Sequence, residues 1–87
     1  MAFPACEENI DRPYGDMPNM PIALMANWTG EDCAAICAAD PACVAFAFQP
    51  SNCGGTNPPY CWKKATVEPP QSKPCRCSNL SPPLPPP

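Results

Sequence analysis

The chain has 87 residues, of which 16 are proline and eight are cysteine, and its net charge is −3. A chain of this length forms one small domain that buries too little apolar surface to be stable without cross-links, so the eight cysteines favour a disulfide framework. Disulfides persist in oxidising compartments, which predicts a secreted or cell-surface protein. The scarcity of basic residues argues against nucleic-acid binding, and no apolar run is long enough to span a bilayer.

The chain contains no histidine. This removes Ser-His-Asp and Cys-His catalysis and mixed Cys-His zinc sites. The sequence therefore predicts a protein that is not an enzyme and has neither a cofactor nor a metal ion. Residues 1–4 are too short for a signal peptide, so we expect an exported protein of this sequence to derive from a longer precursor.

We expect the chain to comprise linker or appended residues over 1–5, a disulfide-stapled domain over 6–77 and a proline-rich stalk or linker over 78–87. The first part of the domain has one weak strand signal, at residues 21–27. Three of its methionines are expected to fill an irregular core: Met17, Met20 and Met25. Four of its carboxylates lack the spacing of a calcium loop and are predicted to form a solvated acidic face: Glu7, Glu8, Asp11 and Asp16.

The clearest helix is predicted over Gly30–Ala39. Thr29 is the expected N-cap, and Asp32 three residues later completes a capping-box pattern. Asp40 and Pro41 end the helix, because proline cannot continue it.

Two strands are predicted after the helix, at Cys43–Phe48 and at Cys61–Val67, with a turn-rich loop between them. Alternation places Phe46 and Phe48 on one face of the first strand and its alanines on the other. We expect the alanine face to pack against the helix, because small side chains allow close approach. The predicted fold class is α+β, with one short helix packed on a small antiparallel sheet.

Eight cysteines allow 105 pairings, and sequence alone does not select one of them. Cys33 and Cys37 project from one helix face because they are four residues apart. Cys37 could meet Cys43 across a tight reversal, and Cys61 on the following strand is then the natural partner of Cys33.

A longer pattern runs through the domain: Cys33-x3-Cys37-x5-Cys43, then Ala45-Phe46 and Cys61-Trp62-x-Lys64, with Cys6 and Gly15-Asp16-Met17 upstream. This pattern resembles the PAN/Apple domain family over roughly residues 6–77. The resemblance implies a disulfide-rich helix-on-sheet fold with the bridges Cys33–Cys61 and Cys37–Cys43, and a further bridge from an early cysteine to a late one. It also implies adhesion or recognition, without identifying the ligand.

The chain departs from that family's pattern in two ways. Two cysteines exceed the usual six, which implies a fourth bridge, and a Cys75–Cys77 bond would be strained by its minimal loop. We therefore expect Cys6 and Cys53 to pair with Cys75 and Cys77, in an order that the sequence leaves open. A thiolate metal site around Arg76 is the weaker alternative. The second departure is Lys63, which stands where the family usually has an apolar residue.

The end of the chain, Ser81-Pro82-Pro83-Leu84-Pro85-Pro86-Pro87, is similar to the stalks of hydroxyproline-rich extracellular-matrix glycoproteins of green algae and plants. Consecutive prolines favour an extended polyproline II helix, which acts as a stiff spacer, and a disordered end is the alternative. Asn27-Trp28-Thr29 is an N-glycosylation acceptor, so Asn27 is a candidate for modification. A second acceptor at Asn79 is weakened by the proline at position 82.

Five side chains are candidate ligand-binding residues, because exposed aromatic rings stack on sugars or anchor protein interfaces and cations add polar contacts: Tyr14, Tyr60, Trp62, Lys64 and Arg12. The alternative for each ring is that it completes a small core. The leading hypothesis is an extracellular adhesion or recognition module of a larger glycoprotein, with a protein or carbohydrate ligand. One alternative is a self-assembling subunit of an extracellular fibre, cell wall or flagellar coat. Another is a secreted inhibitor or defence peptide that exposes the Cys53–Cys61 loop.

Overall fold

The computed structural model describes residues 7–25, 27–50 and 58–80. In chain order the elements are β1 (Glu7–Asp11), β2 (Ile22–Ala23), α1 (Gly30–Ala38), β3 (Ala45–Gln49), β4 (Tyr60–Lys64) and β5 (Gln71–Leu80). The strands form one antiparallel sheet in the order β1-β5-β3-β4-β2, and α1 contacts β3, β4 and β5. The predicted α+β class, with one helix on a small antiparallel sheet, is confirmed.

The helix begins at Gly30, as predicted, and ends at Ala38, one residue earlier than predicted. Thr29 has extended backbone geometry, and its N–H donates a hydrogen bond of 2.6 Å to the carboxylate of Asp32. This bond satisfies a backbone donor at the helix N-terminus, as a capping box requires. The local signals for this helix were therefore sufficient to place it.

The helix packs on the aromatic face of β3, so the prediction that it packs on the alanine face is wrong. Phe46 and Phe48 belong to the same buried cluster as Cys33 of α1. The strand register gives the reason: Phe48 lies directly opposite Cys61, so the two share a face, and Cys61 is bonded to Cys33. The small residues that allow close approach are on the helix, where Ala34 is fully buried.

Lys63 lies opposite Phe46 in the register and therefore on the helix-facing side of the sheet. Its ammonium group is 2.9 Å from the carboxylate of Asp40, which lies just after α1. The same side chain of Asp40 accepts a hydrogen bond from the Ala42 amide at 2.9 Å. A charged residue is accommodated at this position because it reaches an ionic partner at the end of the helix.

This ion pair makes stability depend on pH. The hydrogen bond from Lys63, followed by that from the Ala42 amide, holds the pKa of Asp40 below its ordinary value of 3.8. Because the folded-state pKa is the lower one, the carboxylate stabilises the fold above pH 3.8, and this contribution is lost as pH falls through the folded-state pKa. We expect Asp40→Asn to flatten the acid limb of the unfolding free energy, measured by urea denaturation between pH 2 and 6. Glu7→Gln is the control, and identical acid limbs for Asp40→Asn and wild type would contradict this account.

The strands on either side of the helix are shorter than predicted. The strand expected at residues 61–67 covers Tyr60–Lys64, and the one expected at 21–27 covers only Ile22–Ala23. Residues before β2 complete the outer edge of β4: Asp16 forms a bridge with Lys64, and the Met17 amide donates to the Lys63 carbonyl at 2.9 Å.

Gly15 allows the segment before β2 to lie close to the end of β4. Its φ of +84° is in the left-handed region, and a Cβ atom at this position would collide with Oγ1 of Thr66. Glycine alone fits both constraints without strain. Of the three methionines predicted to fill the core, Met17 packs against it and Met20 is partly buried, whereas Met25 is 67% exposed, so the prediction is wrong for Met25.

Strands β1 and β5 were not predicted from the sequence. β5 lies between β1 and β3, where residues 78–80 pair with Ala47, Phe46 and Ala45. The predicted stalk was expected to start at residue 78, which falls inside this strand. Polar composition and Pro74 concealed the strand, because both are unfavourable in a typical sheet. Residues 1–6 and 81–87, which include the rest of the predicted stalk, lie outside the described residues.

Both disulfides that the resemblance implied are present. Cys33–Cys61 joins α1 to β4. Cys37–Cys43 joins α1 to the short segment before β3, in which Cys43 lies two residues ahead of the strand. Cys75 and Cys77 are also disulfide-bonded. The predicted pairing with Cys6 and Cys53 involves positions outside the described residues. Over the ranges that the structure describes, no helix is long and apolar enough to cross a membrane.

Candidate functional site

A groove of about 560 Å³ lies between the start of α1 and the middle of β5. Its volume is within the range of ligand pockets in proteins. Apolar side chains and charged side chains both line this helix-end groove: Trp28, Phe48 and Pro50 are among the former, and Glu8, Glu31 and Arg76 are the latter. The combination of aromatic surface and a few charged groups is typical of recognition sites.

Local geometry fixes Trp28 on the groove wall. Trp28 immediately precedes the N-cap Thr29, and its amide donates to the carbonyl of Met25 at 3.0 Å. The side chain remains 38% exposed, whereas Phe48 at the base of the groove is buried. Sequence reasoning missed Trp28 because it was considered only as the middle residue of a glycosylation acceptor. Its position one residue before a helix cap was the signal that could have identified it. Asn27, the candidate acceptor residue itself, is exposed.

A second group of side chains lies on the sheet face opposite the helix. The ring centroids of Tyr60 and Trp62 are 6.0 Å apart, and the guanidinium carbon of Arg76 is 5.0 Å from the centroid of the Trp62 ring. Trp62, Lys73 and Arg76 line a smaller cavity of about 190 Å³. We call Tyr60, Trp62, Lys73 and Arg76 the sheet-face cluster.

The five predicted ligand-binding residues have different environments. Tyr60 and Trp62 contact each other in the sheet-face cluster, and Tyr14 is 65% exposed. Lys64 is only 2% exposed and forms an ion pair with Asp16. Arg12 is buried and donates to Oγ of Ser78 at 2.8 Å. The structure therefore uses the charges of Lys64 and Arg12 within the fold, and Arg76, which the sequence analysis did not select, joins the two aromatic rings.

The prediction of a solvated acidic face is wrong for one of its four carboxylates, Asp11, which is buried. Glu7, Glu8 and Asp16 are exposed, and Asp16 is also the ionic partner of Lys64. Within the described ranges, no group of three carboxylates or thiols could hold a metal ion.

Comparison with known protein families gives a match. The profile of the PAN domain family matches residues 10–64, which is more than half of the chain. The matched segment includes α1, β3 and β4 and both of the bridges described above. No curated protein and no solved structure matches the chain. PAN domains are general protein- or carbohydrate-binding modules. Both PAN domains and disulfide bonds are typical of extracellular proteins. The fold, the two helix-anchored disulfides and the matched segment together show that this chain belongs to the PAN domain family.

Proposed function

We propose that this domain is a non-enzymatic recognition module of a larger secreted or cell-surface glycoprotein, and that it binds its protein or carbohydrate ligand in the helix-end groove. The observation that carries the proposal is that the exposed indole of Trp28 and the buried ring of Phe48 line the same groove. A large aromatic surface of this kind supplies much of the binding free energy in many interfaces and stacks on sugar rings.

Local constraints act on both walls of the groove, and they support a binding role. On one side, the hydrogen bond from Thr29 to Asp32 fixes the start of α1. On the other side, Cys75 and Cys77 are both disulfide-bonded. A preformed site loses less conformational entropy on binding than a flexible one, so more of the contact energy contributes to affinity.

The edges of the sheet argue against self-assembly by strand addition. β1 is one edge, and it carries the exposed carboxylates of Glu7 and Glu8. β2, the other edge, has only two residues. Short and charged edge strands are features that oppose edge-to-edge pairing. Recognition is therefore better supported than the fibre-subunit alternative. The loop invoked for the inhibitor alternative lies largely outside the described residues.

Substitution of Trp28 tests the proposed binding site. The oxidised domain is applied to immobilised protein and polysaccharide fractions of an extracellular matrix or cell wall. For any fraction that retains it, we expect Trp28→Ala to weaken binding by about 30-fold, because truncation of an aromatic anchor costs about 2 kcal/mol. Val67→Ala, which removes an exposed apolar side chain outside the groove, is the matched control and should leave affinity unchanged.

Two results would contradict the proposal. Equal affinities for the Trp28→Ala and Val67→Ala proteins would show that the ligand does not use the groove. Failure of the oxidised domain to bind any fraction would contradict the recognition function itself.

A further inference from the structure

The chain has five basic side chains, and three of them have partners inside the fold. Lys63 pairs with Asp40, Lys64 pairs with Asp16, and Arg12 donates to Ser78. The other two are Lys73 and Arg76 of β5. All eight carboxylate side chains of the chain lie in the described residues, yet none is within ion-pair distance of either cation. The nearest polar contact of Arg76 is a 3.3 Å hydrogen bond to the carbonyl of Cys75.

A large bulge brings these two cations together. Glu8 pairs with Cys77 and Ile10 pairs with Ser72, so residues 73–76 of β5 oppose Asn9 alone. Asn9 and Cys75 have φ values of +60° and +62°. Asparagine adopts this left-handed conformation comparatively easily, whereas for cysteine it is unfavourable. Bulges of this kind redirect side chains, and costly backbone conformations are concentrated at functional sites. Here the bulge places both Lys73 and Arg76 on the 190 Å³ cavity.

Trp62 orients the guanidinium group of Arg76. The 5.0 Å separation from the ring centroid is a cation–π contact, and Tyr60 packs against the same indole. A guanidinium that is already immobilised presents its N–H groups as a planar fork, which matches the two oxygens of a carboxylate or sulfate group.

The other charges around the cavity leave an excess of positive charge. Lys64 and Asp16 neutralise each other there, and Asp11 is buried. Lys73 and Arg76 therefore outnumber the one remaining carboxylate. Because the whole chain is acidic, a locally basic site is a specific feature of this surface rather than a consequence of composition.

Arg76 also lines the helix-end groove, so it connects the two cavities. A ligand that spans them meets aromatic surface on both sides of one cation: Trp28 in the groove and Trp62 in the smaller cavity. Glu8 and Glu31 also line the groove, so the anionic group of the ligand belongs in the smaller cavity and the groove takes its sugar rings. A chain of sugar rings with a charged substituent fits this arrangement, because the rings can stack on the indoles while the substituent binds the guanidinium.

We propose that Lys73 and Arg76 bind the carboxylate or sulfate group of an acidic polysaccharide, whose adjoining sugar residues lie in the helix-end groove. This proposal rests on the proposed function, because it specifies the ligand class of that recognition module. Both cations lie beyond residues 10–64, the segment matched by the family profile. The specificity is therefore assigned by the structure of β5 and not by family membership.

The first experiment compares polymers of matched backbone. Polygalacturonate supplies carboxylates and dextran sulfate supplies sulfates, and methyl-esterified polygalacturonate and dextran are their neutral counterparts. We expect the oxidised domain to bind at least one polyanion at least tenfold more tightly than its neutral counterpart, with an affinity that falls as salt is added. The polyanion that binds identifies the anionic group. Polyglutamate tests an acidic peptide as the competing ligand and is expected to bind more weakly.

The second experiment tests the two side chains. We expect Arg76→Gln and Lys73→Gln each to weaken polyanion binding about tenfold, since each substitution removes a charge-assisted hydrogen bond to the anionic group. Arg76→Lys should restore only part of the loss, because lysine lacks the planar fork. Lys63→Gln removes the same charge outside both cavities and should have no effect. Lys73 is exposed, so its substitution leaves folding intact, and circular dichroism checks this for Arg76→Gln.

Equal binding of charged and neutral polymers, or equal affinities of the Lys73, Arg76 and Lys63 variants, would overturn this proposal. So would tighter binding of polyglutamate than of either polysaccharide. If the charged polymers do not bind but another ligand still binds in a Trp28-dependent manner, only the assignment of an acidic polysaccharide is contradicted, and the proposed recognition function stands. If no ligand of any kind binds, both fall.

Discussion

Replacing Cys33 and Cys61 together with alanine is expected to lower the free energy of unfolding by about 3.5 kcal/mol. The two cysteines are 28 residues apart in sequence, and a bridge restricts the unfolded chain more when the loop that it closes is longer. Both side chains are fully buried between α1 and β4, so their loss also removes core contacts. Small domains have a total stability of about 5 kcal/mol or somewhat more, so this change removes most of it.

The second bridge supplies the comparison. Cys37 and Cys43 are only six residues apart, and their joint replacement with alanine should cost about 2 kcal/mol. Urea denaturation of both double variants, followed by far-ultraviolet circular dichroism, measures the difference. A larger loss from the Cys37–Cys43 pair than from the Cys33–Cys61 pair would contradict the role assigned to the longer bridge.

Phe46→Ala is the second substitution with a large expected effect, about 3–5 kcal/mol of destabilisation. Among the described residues, Phe46 is the largest fully buried side chain, and it lies in the cluster that joins β3 to α1. Alanine would leave a cavity that the two neighbouring disulfides prevent from collapsing, because they fix the distance between helix and sheet.

Two further variants provide reference values for the loss of unfolding free energy expected from Phe46→Ala. Phe46→Leu keeps most of the apolar volume and should cost less than half as much as alanine. Tyr14→Ala removes an exposed ring and should change stability by no more than about 0.5 kcal/mol. The same urea titration measures all three. If Phe46→Ala were no more destabilising than Tyr14→Ala, the helix could not be packed on the aromatic face of β3.

The helix and the first strand after it were predictable, because residues within or next to each element indicate its type and its limits. The cap at Thr29 and the proline at position 41 define α1, and alternation of apolar residues defines most of β3. The choice of the sheet face that contacts the helix was not predictable in this way, because alternation gives two faces without saying which is inward. The bond from Cys61 to Cys33, combined with the register of β3 and β4, decides it.

β5 shows why the remainder was missed. Its sequence is polar and contains Pro74, and it forms a strand because β1 and β3 pair with it on both sides. Such pairing depends on residues far away in the chain, which no local pattern reveals. Pro74 is tolerated because it lies in the bulge, where its missing N–H interrupts no regular ladder.

The candidate site was predictable to the same limited extent. Tyr60 and Trp62 share a face because they are two residues apart on β4, as alternation indicates. Arg76 could not be assigned to them without the position of β5, since it comes from a different part of the sheet. Trp28 became a candidate only when the structure placed it across a groove from β5.

The most direct test of the central claim is to map where a ligand contacts the domain. Amide chemical shifts of the oxidised, isotope-labelled protein are recorded during titration with a matrix fraction that retains it. The account predicts that the largest shifts occur at Trp28, Phe48 and Arg76, on the two walls of the groove. Shifts concentrated instead around Gly15 and Val67, with none at those three positions, would contradict it.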